Sequence, residues 1–94
     1  MTEDAAVATA SVEAPRKNPR AVRIDVSDLG TMFLHLDDSR VIKLDLSKKG
    51  YRKLRDADVE DKRDYRILNA GQGILWEEID EDLTVAGILR DHGL

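Results

Sequence analysis

The stretch that decides the fold is AVRIDVSDLGTMFLHLDDSRVIKLDL, residues 21–46. Three short runs within it alternate with period two. Val22, Ile24 and Val26 fall on one side of the first run, with Arg23 and Asp25 opposite. Met32, Leu34 and Leu36 share a side of the second, against Thr31, Phe33, His35 and Asp37. Ile42, Leu44 and Leu46 do the same in the third, against Val41, Lys43 and Asp45. Successive side chains of an extended chain point to opposite faces, so this pattern marks half-buried strands. The breaks between the runs, Ser27-Asp28-Leu29-Gly30 and Asp37-Asp38-Ser39-Arg40, are turn chemistry. Links this short require antiparallel neighbours, which gives a three-stranded meander with one apolar face and one wet face.

The apolar face needs a cover, and the residues downstream supply it. In SKKGYRKLRDADVEDKRD, residues 47–64, the alternation stops and Tyr51, Leu54 and Ala57 recur every three positions. Ser47 is placed to cap a helical turn here and Asp58 a second one, while Gly50 disfavours one long helix. YRILNAGQGILWEE, residues 65–78, reads as a hairpin. Tyr65, Ile67 and Ile74-Leu75-Trp76 are strand-like, and residues 69–73 form a loop whose glycines supply positive φ. TVAGILRDHGL, residues 84–94, reads as a closing helix. Thr84 is its N-cap, Leu83 and Ile88 have the spacing of a hydrophobic staple, and Gly93 is its terminator. The expected fold class is α+β: an antiparallel three-stranded meander, a short helical segment, a β-hairpin and a C-terminal helix packed on the sheet. One domain is expected over residues 21–92. Residues 1–20, rich in Ala, Thr, Ser, Glu and Pro, cannot bury enough surface to offset ordering and are expected to form a disordered tail.

Composition narrows the function classes. The chain has 94 residues and no cysteine, so disulfides, thiolate metal sites and cysteine nucleophiles are excluded. No apolar run reaches the ~20 residues of a membrane span, and the acidic N-terminus lacks the basic and apolar regions of a signal peptide, so the expected location is cytoplasmic. The net charge of −4 is unevenly distributed: residues 21–55 carry +3 and residues 56–94 carry −7. A dedicated nucleic-acid binder shows a dominant basic field instead.

Two charged clusters are candidates for function. EEIDED, residues 77–82, places Glu77, Glu78, Asp80, Glu81 and Asp82 just after the single tryptophan, Trp76. Read as a calcium loop from Asp80, it has Val85 where glycine is needed and Asp91 where glutamate is needed. Read as catalytic carboxylates, it lacks the contrast of environments that separates an acid from a base. Acids here favour the positive start of the closing helix, with Ile79 and Leu83 as buried pins on either side of a polar turn. They also form a rim suited to a basic protein. The second cluster is Lys48, Lys49, Arg52, Lys53 and Arg55, which suits phosphate or RNA but has Tyr51 as its only aromatic. His35 reads as a half-exposed sheet histidine and His92 as a residue of the last helical turn. No metal site, cofactor site or catalytic set follows from these residues, and the chain is expected not to be an enzyme.

The stretch LRDADVEDKRDYRILNAGQGILWEEIDEDLTVAGILRD, residues 54–91, resembles the second half of the bacterial family known as domain of unknown function 2442. The resemblance rests on Leu54 and Ala57, Gly71 and Gly73, Trp76, Ile79-Asp80-Glu81-Asp82-Leu83, and Thr84-Val85-Ala86-Gly87-Ile88-Leu89. The chain departs from that pattern at Leu75, Glu77 and Ala86, where the family favours His, Pro and Glu. The resemblance implies a small α+β domain with no established catalytic residues, of a kind sometimes encoded in arrangements that look like toxin–antitoxin pairs. Two functional readings follow. The first is a protein-binding module, an antitoxin-like or regulatory partner of another small, basic, toxin-like protein, acting through Trp76, Glu77, Glu78, Asp80, Glu81 and Asp82. The second is a nucleic-acid accessory protein using Lys48, Lys49, Arg52, Lys53 and Arg55. A homodimer is compatible with either.

Overall fold

The computed structural model describes residues 18–28 and 30–94. Strands β1 (Ala21–Val26), β2 (Met32–Leu36) and β3 (Val41–Leu44) form an antiparallel sheet in the order β1-β2-β3. A 3₁₀ turn (Lys49–Tyr51) and the short helices α1 (Arg52–Asp56) and α2 (Val59–Arg63) follow. Strands β4 (Arg66–Leu68), β5 (Gly73–Trp76) and β6 (Glu81–Thr84) form a second antiparallel sheet in the order β4-β5-β6, and helix α3 (Val85–Asp91) ends the chain. This is the expected α+β class, with one strand more than the sequence reading placed.

The register of the first sheet makes two apolar rows. Ile24 opposes Leu34, which opposes Ile42; Val26 opposes Met32, which opposes Leu44. Across such rows Cβ atoms lie within direct contact range, so the rows act as units. Five of the six are buried and Val26 is half-buried. The first strand departs from strict alternation at its start. Ala21 opposes Leu36 while Arg23 opposes His35, so Val22 is the extra residue of a bulge. Ala21 turns into the core and Val22, expected inside, is 51% exposed. The alternation of Val22 with Ile24 is visible in the sequence; the bulge that breaks it is set by pairing with β2.

Pro19 is fully buried, and its carbonyl accepts from the Gln72 side chain at 3.3 Å. The Arg20 N–H donates to the Asp37 carboxylate at 2.9 Å. The chain is therefore tied to the domain at 19–20, within the span expected as a tail. Residues 1–17 lie outside the described residues, and the expectation of disorder there with them.

The second sheet contains the main correction. EDLT was expected as the polar entry to a helix, but it pairs with β5: Trp76 opposes Glu81, Leu75 opposes Asp82, Ile74 opposes Leu83 and Gly73 opposes Thr84. Leu83 completes the row Ile67–Ile74–Leu83, and it is half-buried against the core, as is Ile79, rather than fully buried. Glu and Asp have low strand propensity, so only the pairing partner makes this segment a strand.

One apolar cluster draws on both sheets, on Tyr51 and Leu54 of the connecting helical segment, and on Val85 and Ile88 of α3. Polar contacts join the layers. The Ile24 N–H donates to the Tyr65 hydroxyl at 2.8 Å, and the Trp76 indole N–H donates to the Lys62 carbonyl at 2.8 Å. The Tyr65 and Trp76 rings pack with centroids 6.3 Å apart. His92, following α3, has Nδ1 2.9 Å from the Ile88 carbonyl and Nε2 2.9 Å from the Lys43 carbonyl, which ties the end of the chain to edge strand β3.

The helix ends follow local rules where the chain is unopposed. Thr84 Oγ1 accepts from the Gly87 N–H at 3.0 Å, as an N-cap does. At the other end Leu94 N–H donates to the Leu89 carbonyl at 2.8 Å and Gly93 N–H to the Arg90 carbonyl at 3.0 Å, a Schellman closure with Gly93 at φ +72°. The expected cap at Ser47 is absent: its hydroxyl donates to Asp45 at 2.6 Å, and Lys48 precedes the 3₁₀ turn without a side-chain cap bond. Asp58 does precede α2, also without a side-chain cap bond.

Two variants test this packing. Leu83→Asp places an uncompensated charge in the row beside Ile74 and is expected to abolish the cooperative thermal transition, with Glu81→Gln melting as the parent does. Gly71 has φ +89°, and a Cβ there would stand 2.6 Å from Arg20 Cβ. Gly71→Ala is expected to lower stability by about 1–3 kcal/mol in urea unfolding, the cost of left-handed strain with a clash.

Candidate functional site

The acidic cluster occupies the tip of the β5–β6 hairpin. The Asp80 N–H donates to the Glu77 carbonyl at 3.2 Å, and Asp80 has φ +58°, a left-handed conformation that Asp tolerates better than most residues. The strands diverge into this four-residue turn from the pair Trp76–Glu81. Glu77, Glu78, Asp80 and Asp82 are exposed and Glu81 is half-exposed. Trp76 is 0% exposed with its N–H satisfied inside, so it anchors the hairpin from below and offers no surface to a partner. The surface reading of Trp76 is therefore corrected: a large apolar side chain with one donor is buried where that donor finds an acceptor.

Basic groups reach the acidic tip at two places. Arg66 on β4 pairs with Glu77 at 2.9 Å. Lys53 on α1 donates to the Asp80 carbonyl at 2.9 Å and stands 4.0 Å from its carboxylate. Both pairs are exposed and worth little individually. Glu81 accepts from the Asp82 N–H at 3.2 Å, and no ion pair holds Glu78, Glu81 or Asp82 among the described residues. The five acids thus keep most of their field.

The basic run does not form one continuous patch. Lys48, Lys49, Arg52, Lys53 and Arg55 are all exposed, but Lys53 turns toward Asp80 and Arg55 pairs with Asp56 at 3.0 Å. The Arg55 hydrogen bond holds the Asp56 carboxyl below its ordinary value; desolvation opposes it, and the charges of Arg55, Arg52 and Lys62 add to the lowering. Tyr51, the only aromatic in the run, is buried and unable to stack on a base. Its hydroxyl has no hydrogen-bond partner among the described residues, and burial, with the Asp91 charge adding, pushes its pKa up.

On the wet face of the first sheet His35 Nε2 lies 2.8 Å from Asp25, which also accepts from Arg23 Nε at 3.1 Å. The Arg23 hydrogen bond, more than the His35 charge, keeps the Asp25 carboxyl low. No group of three or more His, Asp or Glu side chains among the described residues is arranged to hold a metal ion. No helix among them is long and apolar enough to cross a membrane.

Two charged residues stand out that the sequence reading passed over. Asp38 is buried in the β2–β3 turn, where Oδ2 accepts from Arg40 Nε at 2.9 Å and Oδ1 from the Arg40 N–H at 3.2 Å. Lys62 is 5% exposed on α2. The one available signal is its spacing of three from Val59, too short a pattern to separate Lys62 from Arg63.

The fold and the site together define a small α+β domain in which two three-stranded antiparallel sheets share a core and carry an acidic hairpin tip. The chain belongs to the family described as protein of unknown function DUF2442, whose model matches residues 21–92. Among solved structures it is similar to a protein of unknown function from Rhodospirillum rubrum ATCC 11170, whose crystal structure has a resolution of 2.75 Å. The two share 23% identity and a TM-score of 0.64, over 78% of this chain and 87% of that one, and the likeness supports the fold. No curated protein matches the chain.

The charge geometry gives a pH-dependent outcome. Asp45 accepts from the Ser47 hydroxyl and then from its N–H, both of which hold the carboxyl below its ordinary 3.8. A depressed carboxyl stabilises the fold above the unfolded value, and that contribution is lost as pH falls through the folded value. Carboxyl NMR is expected to show Asp45 titrating below 3.8 in the folded chain and moving up toward it in Ser47→Ala.

Proposed function

We propose that this domain is a non-enzymatic protein-binding module of the cytoplasm, an antitoxin-like or regulatory partner of another small, basic protein. The observation that carries the reading is the hairpin tip. Glu77, Glu78, Asp80, Glu81 and Asp82 are gathered there, and among the described residues only the basic groups of Arg66 and Lys53 reach them. A hairpin pinned from beneath by Trp76 presents these carboxylates without loss of much chain entropy on binding, which favours affinity. An acidic lip steers a basic partner and covers its basic site, so the mechanism is occlusion. Nucleic acid is the weaker reading, because Lys53 and Arg55 already face Asp80 and Asp56 and no aromatic is free beside them.

The test is co-expression with the product of the adjacent gene, followed by purification at low salt. A complex that weakens as salt rises is expected. The triple change Glu77→Gln, Glu78→Gln, Glu81→Gln is expected to leave the melting temperature within a few degrees and to weaken the complex about tenfold or more, as loss of several rim charges would. A neighbour that neither co-purifies at low salt nor is toxic when expressed alone removes this reading.

A further inference from the structure

A groove of about 290 Å³ lies between the loop ending in Gly30 and Thr31, the Lys43–Leu46 stretch at the end of β3, and helices α1 and α2. Lys43, Arg55 and Lys62 line it, against a single carboxylate, Asp45. It is separate from the acidic hairpin tip, none of whose residues lines it.

Lys62 is the feature that calls for a ligand. The residue is 5% exposed, yet no carboxylate among the described residues lies within ion-pair distance of its ammonium. Nζ donates to the Ala57 carbonyl at 2.8 Å, and no second acceptor among the described residues is within hydrogen-bond distance. An ammonium has three N–H donors, so most of its hydrogen-bonding capacity is unused. A Cβ built on Gly30 would stand 3.3 Å from Nζ, which places the ammonium against the loop at the groove wall. A buried ammonium with a single neutral acceptor is under-satisfied, and an anion in the groove would supply further acceptors and a countercharge.

The other groups fit an anion of a particular charge. Asp45 already accepts from the Ser47 hydroxyl at 2.6 Å and its N–H at 3.1 Å, so its carboxylate is held in place rather than paired with Lys62. Arg55 uses Nε on Asp56, and no other guanidinium donor of Arg55 is engaged among the described residues. The three cations outnumber Asp45, which lines the groove, and Asp56, which pairs with Arg55 beside it, by one charge, and a phosphate group carries between one and two negative charges near neutral pH. A lysine supplies a point charge and an arginine a planar fork, the pair of geometries suited to phosphate oxygens.

We propose that this groove binds a phosphate group, free or as a small phosphate monoester, with Lys62 as its buried contact and Arg55 and Lys43 as its outer ones. The inference is independent of the protein-binding reading, since the glutamates of the hairpin tip do not enter it.

The experiment titrates the full chain with inorganic phosphate, and separately with phenyl phosphate, against sodium chloride at matched ionic strength, followed by amide NMR. Saturable shifts centred on Gly30, Thr31 and Lys62 are expected, with chloride producing none. Tighter binding of phenyl phosphate would assign the groove to an organic phosphate, and equal binding to the free ion. Lys62→Met is expected to weaken phosphate about tenfold or more, the loss of a charge-assisted hydrogen bond. Arg55→Gln, at an exposed position, is expected to weaken it severalfold, and Lys49→Gln, outside the groove, to leave it unchanged. If Lys62→Met does not fold, Arg55→Gln decides. Linear shifts spread over all basic residues, or an unchanged affinity in folded Lys62→Met or in Arg55→Gln, would overturn the proposal.

Discussion

The hydrogen bond from the Trp76 indole to the Lys62 carbonyl is the contact on which the rest of the molecule depends. It fixes the β5–β6 hairpin to the end of α2, and α2 in turn follows directly on α1. A fully buried indole requires an acceptor for its N–H, and the last turn of a short helix has carbonyls with no partner inside the helix. Each need satisfies the other. The ring then supplies apolar area between the two sheets, where the Tyr65 ring packs against it at a tilt and accepts from the Ile24 N–H with its hydroxyl.

From that joint the charges divide into two regions. The hairpin tip carries its acids outward because the core side of the turn is taken by Trp76, Ile79 and Leu83. The 3₁₀ turn and α1 carry their basic residues outward because Tyr51 and Leu54 take their core side. Lys53 and Asp80 meet where the two regions adjoin. What is left after these contacts is an acidic lip at one place and a basic groove at another, each with a chemistry of its own.

The three alternating runs and the capped closing helix could be read from residues alone. Ile24, Leu34 and Ile42, or Met32 and Leu44, declare a shared face by spacing, and the structure pairs them directly. Thr84 and Gly93 act through backbone groups a few residues away, so their roles as cap and terminator needed no distant partner. The acidic stretch was less legible. EDLT has the propensity of a turn or helix start, and it is a strand only because β5 offers a ladder on which Leu83 meets Ile74. Ser47 likewise had the chemistry of a cap, but Asp45, two residues earlier, was the nearer acceptor.

By itself the sequence determined the fold class, the order of most elements and the polarity of each half of the chain. Periodicity, turn residues and charge are all local properties and survive without a partner. The tertiary structure alone decided that Trp76 is inside, that Val22 is outside at a bulge, that Glu81–Thr84 forms a sixth strand, and that Lys62 is buried beside a groove while Arg63 next to it is exposed. Each of those outcomes is set by what a residue meets across the fold, and the physical reason is the same in every case. Burial and pairing are relations between segments distant along the chain, and no short window of sequence contains both members.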